Sequence, residues 1–114
     1  MTTKTTADLV VTVAEYLRIS ATDIPLSAEN NDKLTRAINR ISGELRELGK
    51  IWWPDNAIPA ACEEAMKFIV CARQCGAHGK AGQGYEAGEQ KGLEMLIDLR
   101  HSASLDGPLK VEYF

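Results

Sequence analysis

The stretch that decides the fold is Ser27 to Lys50, SAENNDKLTRAINRISGELRELGK, in a chain of 114 residues. Its apolar residues alternate steps of four and three, while charged residues occupy the other faces; the apolar stripe is formed by Leu34, Ile38, Ile41, Leu45 and Leu48. This spacing predicts a long amphipathic helix. Because the stripe is narrow, we expect it to pack against another helix.

Three further segments with helical spacing flank this one. They run from about Ala7 to Ile19, from Pro59 to about Gly76, and from Gly84 to Arg100. Thr5 and Asp8 fit a capping box at the start of the first segment. The sequence therefore predicts an all-α fold, a small four-helix bundle formed by residues 1–100.

The last fourteen residues, 101–114, are predicted to form an extended C-terminal arm. Gly107-Pro108 interrupts a helix, and the apolar residues after it alternate with Lys110 and Glu112 at the period of a strand. Such a strand is either laid back on its own domain or offered to another chain. The residues that we expect to bind a partner are Leu105, Leu109, Val111, Tyr113 and Phe114.

Glycine recurs every fourth residue in the last helical segment, at Gly84, Gly88 and Gly92. Each glycine inside a helix costs about 0.5–1 kcal/mol relative to alanine, so three on one face indicate that another backbone approaches closely. That neighbour is either a helix of the same chain or another subunit. The three glycines are therefore candidate subunit-interface residues.

Trp52 and Trp53 lie in a connector that is rich in aromatic area for a loop. Two adjacent tryptophans cannot easily both face inward. Both are candidates for a subunit interface, and the sequence leaves open whether each is core or interface.

The charge balance and the N-terminus disfavour several classes of protein. Thirteen Lys and Arg against sixteen Asp and Glu give a net charge of −3 without a long basic block, which disfavours direct nucleic-acid binding. The first residues, MTTKTTADLVVTV, carry one Lys and a short apolar run, so we expect neither a signal peptide nor a membrane span. The chain is expected to stay in the cytoplasm where it is made.

The residues that could carry chemistry do not form a recognisable catalytic pattern. Cys71, Cys75 and His78 share one helical face and could be imagined as metal ligands, but zinc sites usually draw ligands from two segments. Three cysteines within one apolar helix favour small core residues over a disulfide framework. Adjacent Glu63 and Glu64 point about 100° apart on a helix and do not converge on one substrate atom. We expect no enzyme activity, no catalytic or metal-binding residues and no cofactor.

The order of these features resembles the head-to-tail adaptor, or head completion, proteins of tailed bacteriophages. The resemblance begins with the Thr5, Asp8, Leu9, Val10 helix start and the Leu48-Gly49 end of the second helix before an aromatic connector. It continues with the Ile58-Pro59 entry into an alanine-rich helix, the Gly84-Tyr85 turn and a tail closing on Tyr113-Phe114. It covers nearly the whole chain.

What the resemblance implies is a virion structural protein, a connector made in the bacterial host cytoplasm and located at the capsid portal vertex. Copies would form a dodecameric ring beneath the portal protein, and the C-terminal arm would dock to the portal. The ring would close the head, receive tail components and extend the channel, with DNA only as passing cargo. A competing class is a small cytoplasmic helical partner-binding protein, antitoxin-like or a regulatory subunit, whose C-terminal strand binds one partner.

Overall fold

The computed structural model describes residues 2–21 and 23–106, with side chains in the last helix described as far as Ser102. Four helices make up most of the chain: α1 (Thr6–Tyr16), α2 (Ala28–Glu47), α3 (Glu63–Gln74) and α4 (Gly88–Asp106). Short 3-10 turns, Ala60–Cys62, Gly76–His78 and Tyr85–Ala87, lie at the ends of α3 and before α4. The predicted all-α helical bundle is confirmed.

The predicted capping box begins α1. The Thr5 hydroxyl accepts a hydrogen bond from the Asp8 backbone N–H at 3.1 Å, and the Asp8 carboxylate accepts one from the Thr5 N–H at 3.0 Å. These bonds satisfy donors that the first turn of a helix leaves unpaired, and they lower the pKa of Asp8. Ser27 caps α2 in a similar way by accepting from the Asn30 N–H at 3.1 Å.

A small two-stranded sheet lies outside the helices. Strand β1 (Thr3–Lys4) pairs antiparallel with strand β2 (Ile58–Pro59), so that Thr3 lies opposite Pro59 and Lys4 opposite Ile58. This pairing brings the residues before α1 against the entry to α3. Sequence periodicity gave no sign of it, because each strand has only two residues.

The core is formed by the facing sides of the four helices, with α3 in contact with each of the other three. Its largest fully buried side chains are Leu9, Leu17, Leu34, Ile38, Ile41, Leu45, Met66, Ile69 and Leu96. The predicted stripe of α2 is thus buried from Leu34 to Leu45. Its last member, Leu48, is 68% exposed, because α2 ends at Glu47 and the chain turns away through Gly49 at φ 73°.

Helices α3 and α4 cross with their backbones close together. A Cβ added to Gly92 would lie 2.6 Å from the Ala65 carbonyl oxygen and 2.6 Å from Ile69 Cγ1. One added to Gly88 would lie 3.2 Å from the Phe68 carbonyl oxygen. Of the two explanations for these glycines, the structure shows a close intramolecular crossing at Gly88 and Gly92.

The last helix differs from its predicted bounds at both ends. It begins at Gly88 instead of Gly84, which precedes the 3-10 turn with φ 94°. It continues to Asp106 instead of ending at Arg100, because no helix-breaking residue occurs before Gly107-Pro108. Residues 101–106 are therefore helical where the extended arm was expected to begin.

The remainder of the predicted arm, including Leu109, Val111, Tyr113 and Phe114, lies outside the described residues. Leu105 falls within α4.

Candidate interaction surfaces

The tryptophan connector is held between the C-terminal end of α2 and α4. Arg46 of α2 donates to the Trp53 carbonyl oxygen through Nε at 3.2 Å and Nη2 at 3.0 Å. Arg100 of α4 donates to the Gly49 carbonyl oxygen, and its guanidinium lies 5.5 Å from the centre of the Trp52 ring. The two indole rings meet edge to face at 5.0 Å, with Trp53 buried and Trp52 half-buried. One tryptophan is core and the other contributes to the surface.

An apolar groove, which we call the Trp52 groove, opens beside this connector. It has a volume of about 350 Å³ and is lined by Thr2, Trp52, Pro59, Ala60, Ala61, Cys62 and Leu99. Burial raises the pKa of the Cys62 thiol to about 11, so that the sulfur stays protonated and is not a nucleophile near neutral pH. The chemistry of the groove is that of a site for apolar side chains.

A second surface, the α2–α4 patch, lies next to the groove and consists of Leu48, Leu93, Ile97, Arg100 and His101. Leu48 is 68% exposed and Ile97 is 59% exposed. The five residues surround a cleft of about 380 Å³ that also includes Gly49, Lys50 and Leu96. Two large exposed aliphatic side chains on one cleft are typical of a surface that another molecule covers.

A third surface, the corner patch, consists of Tyr16, Ile24, Gly84 and Tyr85. The Tyr85 hydroxyl donates to the Tyr16 carbonyl oxygen at 2.9 Å, and the two rings meet edge to face at 5.4 Å. Tyr16 is 40% exposed and Ile24 is 64% exposed, and they line two clefts that share Glu15 and Arg18. The exposed Gly84 borders the first of these clefts.

The α2–α4 patch and the corner patch lie at opposite ends of α2. Ile24 lies four residues before the first residue of α2, whereas Leu48 directly follows its last. Twenty helical residues span ~30 Å, so the two patches cannot bind the same small partner surface at once.

Among the predicted interface residues, Gly84 and Trp52 are therefore on the surface. Gly88 and Gly92 lie in the α3–α4 crossing, and Trp53 is in the core. The positions of Gly84 and Trp52 place one candidate in the corner patch and the other on the Trp52 groove.

The cysteines and His78 do not converge on a common point. The Cys71 thiol donates to the Val13 carbonyl oxygen at 3.8 Å, and the Cys75 thiol donates to the Ala72 carbonyl oxygen at 3.5 Å. Burial raises the pKa of Cys71 to about 12. Within residues 2–21 and 23–106, no group of three His, Cys, Asp or Glu side chains is arranged to hold a metal ion.

The adjacent acids Glu63 and Glu64 also have separate partners. Glu63 accepts a hydrogen bond from the Thr12 hydroxyl at 3.0 Å, and Glu64 lies 3.6 Å from the Lys67 ammonium. Their carboxylates therefore serve two different contacts near the positive end of α3, where acidic side chains are favourable.

An ion-pair network that the sequence did not reveal joins three helices. Arg73 of α3 contacts Glu44 of α2 at 3.0 Å, and it binds both carboxylate oxygens of Glu89 of α4 at 3.3 and 3.1 Å. The hydrogen bonds to Glu89 are the main cause that raises the pKa of Arg73. No local pattern could have identified these partners, since they lie 29 and 16 residues away.

None of the helices in the described part of the chain combines the length and the apolar character needed to cross a membrane. Comparisons of the chain with models of protein families, with curated proteins and with solved structures found no match.

Proposed function

We propose that this chain is a virion structural protein of a tailed bacteriophage, a head-to-tail adaptor that assembles as a ring beneath the portal. The C-terminal arm docks to the portal protein, and the ring closes the head and extends the DNA channel. The protein is made in the bacterial cytoplasm and acts at the neck of the virion.

The observation that carries this proposal is the separation of the two exposed apolar patches. A ring with identical neighbours requires a heterologous contact, in which each subunit presents one surface to the copy on its left and a different one to the copy on its right. A two-fold dimer would need a single self-complementary patch. The α2–α4 patch and the corner patch, ~30 Å apart along α2, provide the two different surfaces.

The course of α4 is consistent with an arm that leaves the body at one end. The helix crosses α3, contacts Trp52 through Arg100 and continues to Asp106. The arm residues thus begin on the same side of the body as the α2–α4 patch. Several arms tethered to one ring make every contact after the first intramolecular, so that weak single arms produce a slowly dissociating joint.

The net charge suits the wall of a channel through which DNA passes. A net charge of −3 on each subunit disfavours tight binding of the phosphate groups, which allows the duplex to slide through the channel. In this assembly DNA is cargo and not a ligand.

The test is the mass of the full chain, alone and mixed with the portal protein encoded beside it, by light scattering coupled to size exclusion. We expect a ring-sized gain in mass on mixing. Removal of residues 107–114 should abolish the gain while the circular dichroism of the helical body persists. A matched control replaces Lys110 and Glu112 by Ala, because these residues alternate with the apolar ones, and it should still dock.

Two results would contradict the proposal. A monomer or dimer that ignores the portal would favour the partner-binding alternative, and the search would turn to the protein that captures the arm. A truncated chain that still docks would show that the arm is not the joint. In the ring itself, Leu48→Asp and Ile24→Asp should each reduce the mass of the assembly, since each damages one side of the heterologous contact.

A further inference from the structure

The Trp52 groove differs from the other clefts in its lining. Six of its seven lining residues are apolar or weakly polar, and the seventh is Thr2. The other clefts have charged residues in their walls, including Glu15 and Arg18 at the corner patch and Lys50 and Arg100 at the α2–α4 patch. Of these clefts, the Trp52 groove is therefore the one that best fits a row of uncharged side chains.

The groove is also large enough to receive side chains of a peptide segment. Ligand pockets in proteins begin at ~300 Å³, and this groove has about 350 Å³. The groove lies against the small sheet of β1 and β2, because its wall includes Thr2, which directly precedes β1, and Pro59 of β2. A two-stranded sheet has two outer edges, and an extended peptide that binds beside such an edge can add main-chain hydrogen bonds to side-chain contacts.

The position of Leu99 brings the groove within reach of the end of the chain. Leu99 is a groove residue on α4, and from there the helix continues for about 10 Å to Asp106. Residues 107–114 span at most ~26–29 Å when extended, which is more than twice that distance. Gly107-Pro108 is a sequence at which a chain can reverse direction.

We propose that the segment Leu109 to Phe114 docks into the Trp52 groove of its own chain. The segment alternates Leu109, Val111 and Tyr113 with Lys110 and Glu112, so one face of it is apolar and the other is charged. The apolar face packs against Trp52, Ala61 and Leu99, and the charged face stays in water. This inference concerns the single chain and does not rest on the proposed ring.

The tether favours the chain's own segment over that of a second copy. A short flexible link holds the segment near the groove at an effective concentration in the mM range, far above the concentration of other copies in a dilute solution. If the dissociation constant of the segment from the groove is about 0.1 mM, an effective concentration of about 1 mM keeps the groove occupied in roughly nine chains in ten. A partner that binds the same segment must first displace it from the groove.

The experiment is solution NMR on the full chain. We expect nuclear Overhauser contacts between the Val111 methyl groups and the Trp52 ring, unchanged on dilution. Ala61→Arg places a long charged side chain across the groove at an exposed position and should abolish these contacts. Ala77→Arg, the same change at an exposed position far from the groove, is the matched control and should retain them.

A second pair of variants tests the segment. Val111→Asn should shift the Trp52 indole signal in the same direction as Ala61→Arg, and the double variant should shift it no further. Lys110→Asn introduces the same side chain on the charged face and should leave the signal in place. Circular dichroism of each variant verifies that the helical body is intact.

Absence of the Val111–Trp52 contacts in the full chain would overturn the proposal. So would contacts that weaken on dilution, or that appear in a mixture of differently labelled chains, because they would assign the segment to a neighbouring copy. None of these three results bears on whether the protein gains mass with the portal, so the two proposals fail independently.

Discussion

Two faces of α4 differ in burial: one packs tightly against α3, and the other is exposed to solvent. Gly92 is pressed against the backbone of α3, with no room for a methyl group. Ile97, five residues later and about 140° around the helix, is 59% exposed. The small residue is buried within the fold, and the large apolar one is exposed. Glycine spacing in this helix therefore reports internal packing and does not identify a surface for other molecules.

Replacement of Gly92 by Ala should have the largest effect on stability. The new Cβ would lie 2.6 Å from the Ala65 carbonyl oxygen, and neither backbone can yield without moving a helix. Overpacking of this kind typically costs about 1–3 kcal/mol in the free energy of unfolding. Urea denaturation followed by circular dichroism measures the loss.

Gly43 in α2 is the matched control for Gly92. A Cβ at Gly43 meets nothing within 4 Å, so Gly43→Ala should raise the free energy of unfolding by about 0.5–1 kcal/mol through helix propensity alone. If both variants changed stability in the same direction, the close approach at Gly92 would not be what distinguishes them.

Arg73→Met should be the next most damaging change. It removes the contacts with Glu44 and Glu89 that join three helices, and we expect a loss of about 1–2 kcal/mol because the Arg73 side chain is only 27% exposed. Arg36→Met removes one exposed pair within α2 and should cost less than about 0.5 kcal/mol. Equal losses in the two variants, measured by thermal and urea unfolding, would refute a bridging role for Arg73.

A smaller effect should appear as the pH falls. The His78 Nε2 atom is buried and has no hydrogen-bond partner, and burial, with a contribution from the charge of Lys33, holds the pKa of His78 below its ordinary 6.5. Between the two pKa values the unfolded chain binds more protons than the folded one. Stability is therefore full above pH 6.5, declines as the pH falls from 6.5 towards the folded pKa, and changes no further below it.

The measurement is the urea midpoint from about pH 8 to about pH 5, a range in which histidine is the side chain that normally titrates. His78→Gln should flatten this profile, whereas His101→Gln, at an exposed position, should leave it unchanged. A profile that is equally steep in both variants would assign the pH dependence to other groups.

Ile97→Ser should have the smallest effect on the isolated chain. Surface substitutions usually change stability by no more than about 0.5 kcal/mol, and Ile97 makes few contacts within its own molecule. The same change should weaken assembly with other copies, which sedimentation velocity can measure in the presence of the portal. A large loss of stability without any effect on assembly would show that Ile97 stabilises the fold and does not contact other copies.

The sequence predicted those parts of the fold that depend on local periodicity. The stripe of α2 is buried from Leu34 to Leu45, the capping box at Thr5 is formed, and four helices pack as a bundle. The error at Leu48 arose because a spacing pattern cannot show that α2 itself ends at Glu47, one residue earlier. The error at residues 101–106 arose because an interval without a helix-breaking residue was assigned to the arm.

The candidate surfaces were less predictable, because they are assembled from distant segments. The Trp52 groove joins Thr2, Trp52 and Leu99, and Tyr85 meets Tyr16 across 69 residues. No spacing rule connects such positions. The glycine repeat correctly indicated a close approach at Gly88 and Gly92 but not at Gly84, where an added Cβ would meet nothing within 4 Å. A repeat also cannot state whether the approaching backbone belongs to the same chain.

The burial of the cysteines has a consequence for their reactivity towards oxidants. Oxidation of a thiol proceeds through the thiolate and requires access of the oxidant, and Cys62, Cys71 and Cys75 are each at most 2% exposed. Their pKa values are all raised by burial. An oxidant can react with these thiols only after local or global unfolding exposes them. The folded chain should therefore tolerate air and peroxide without a reductant.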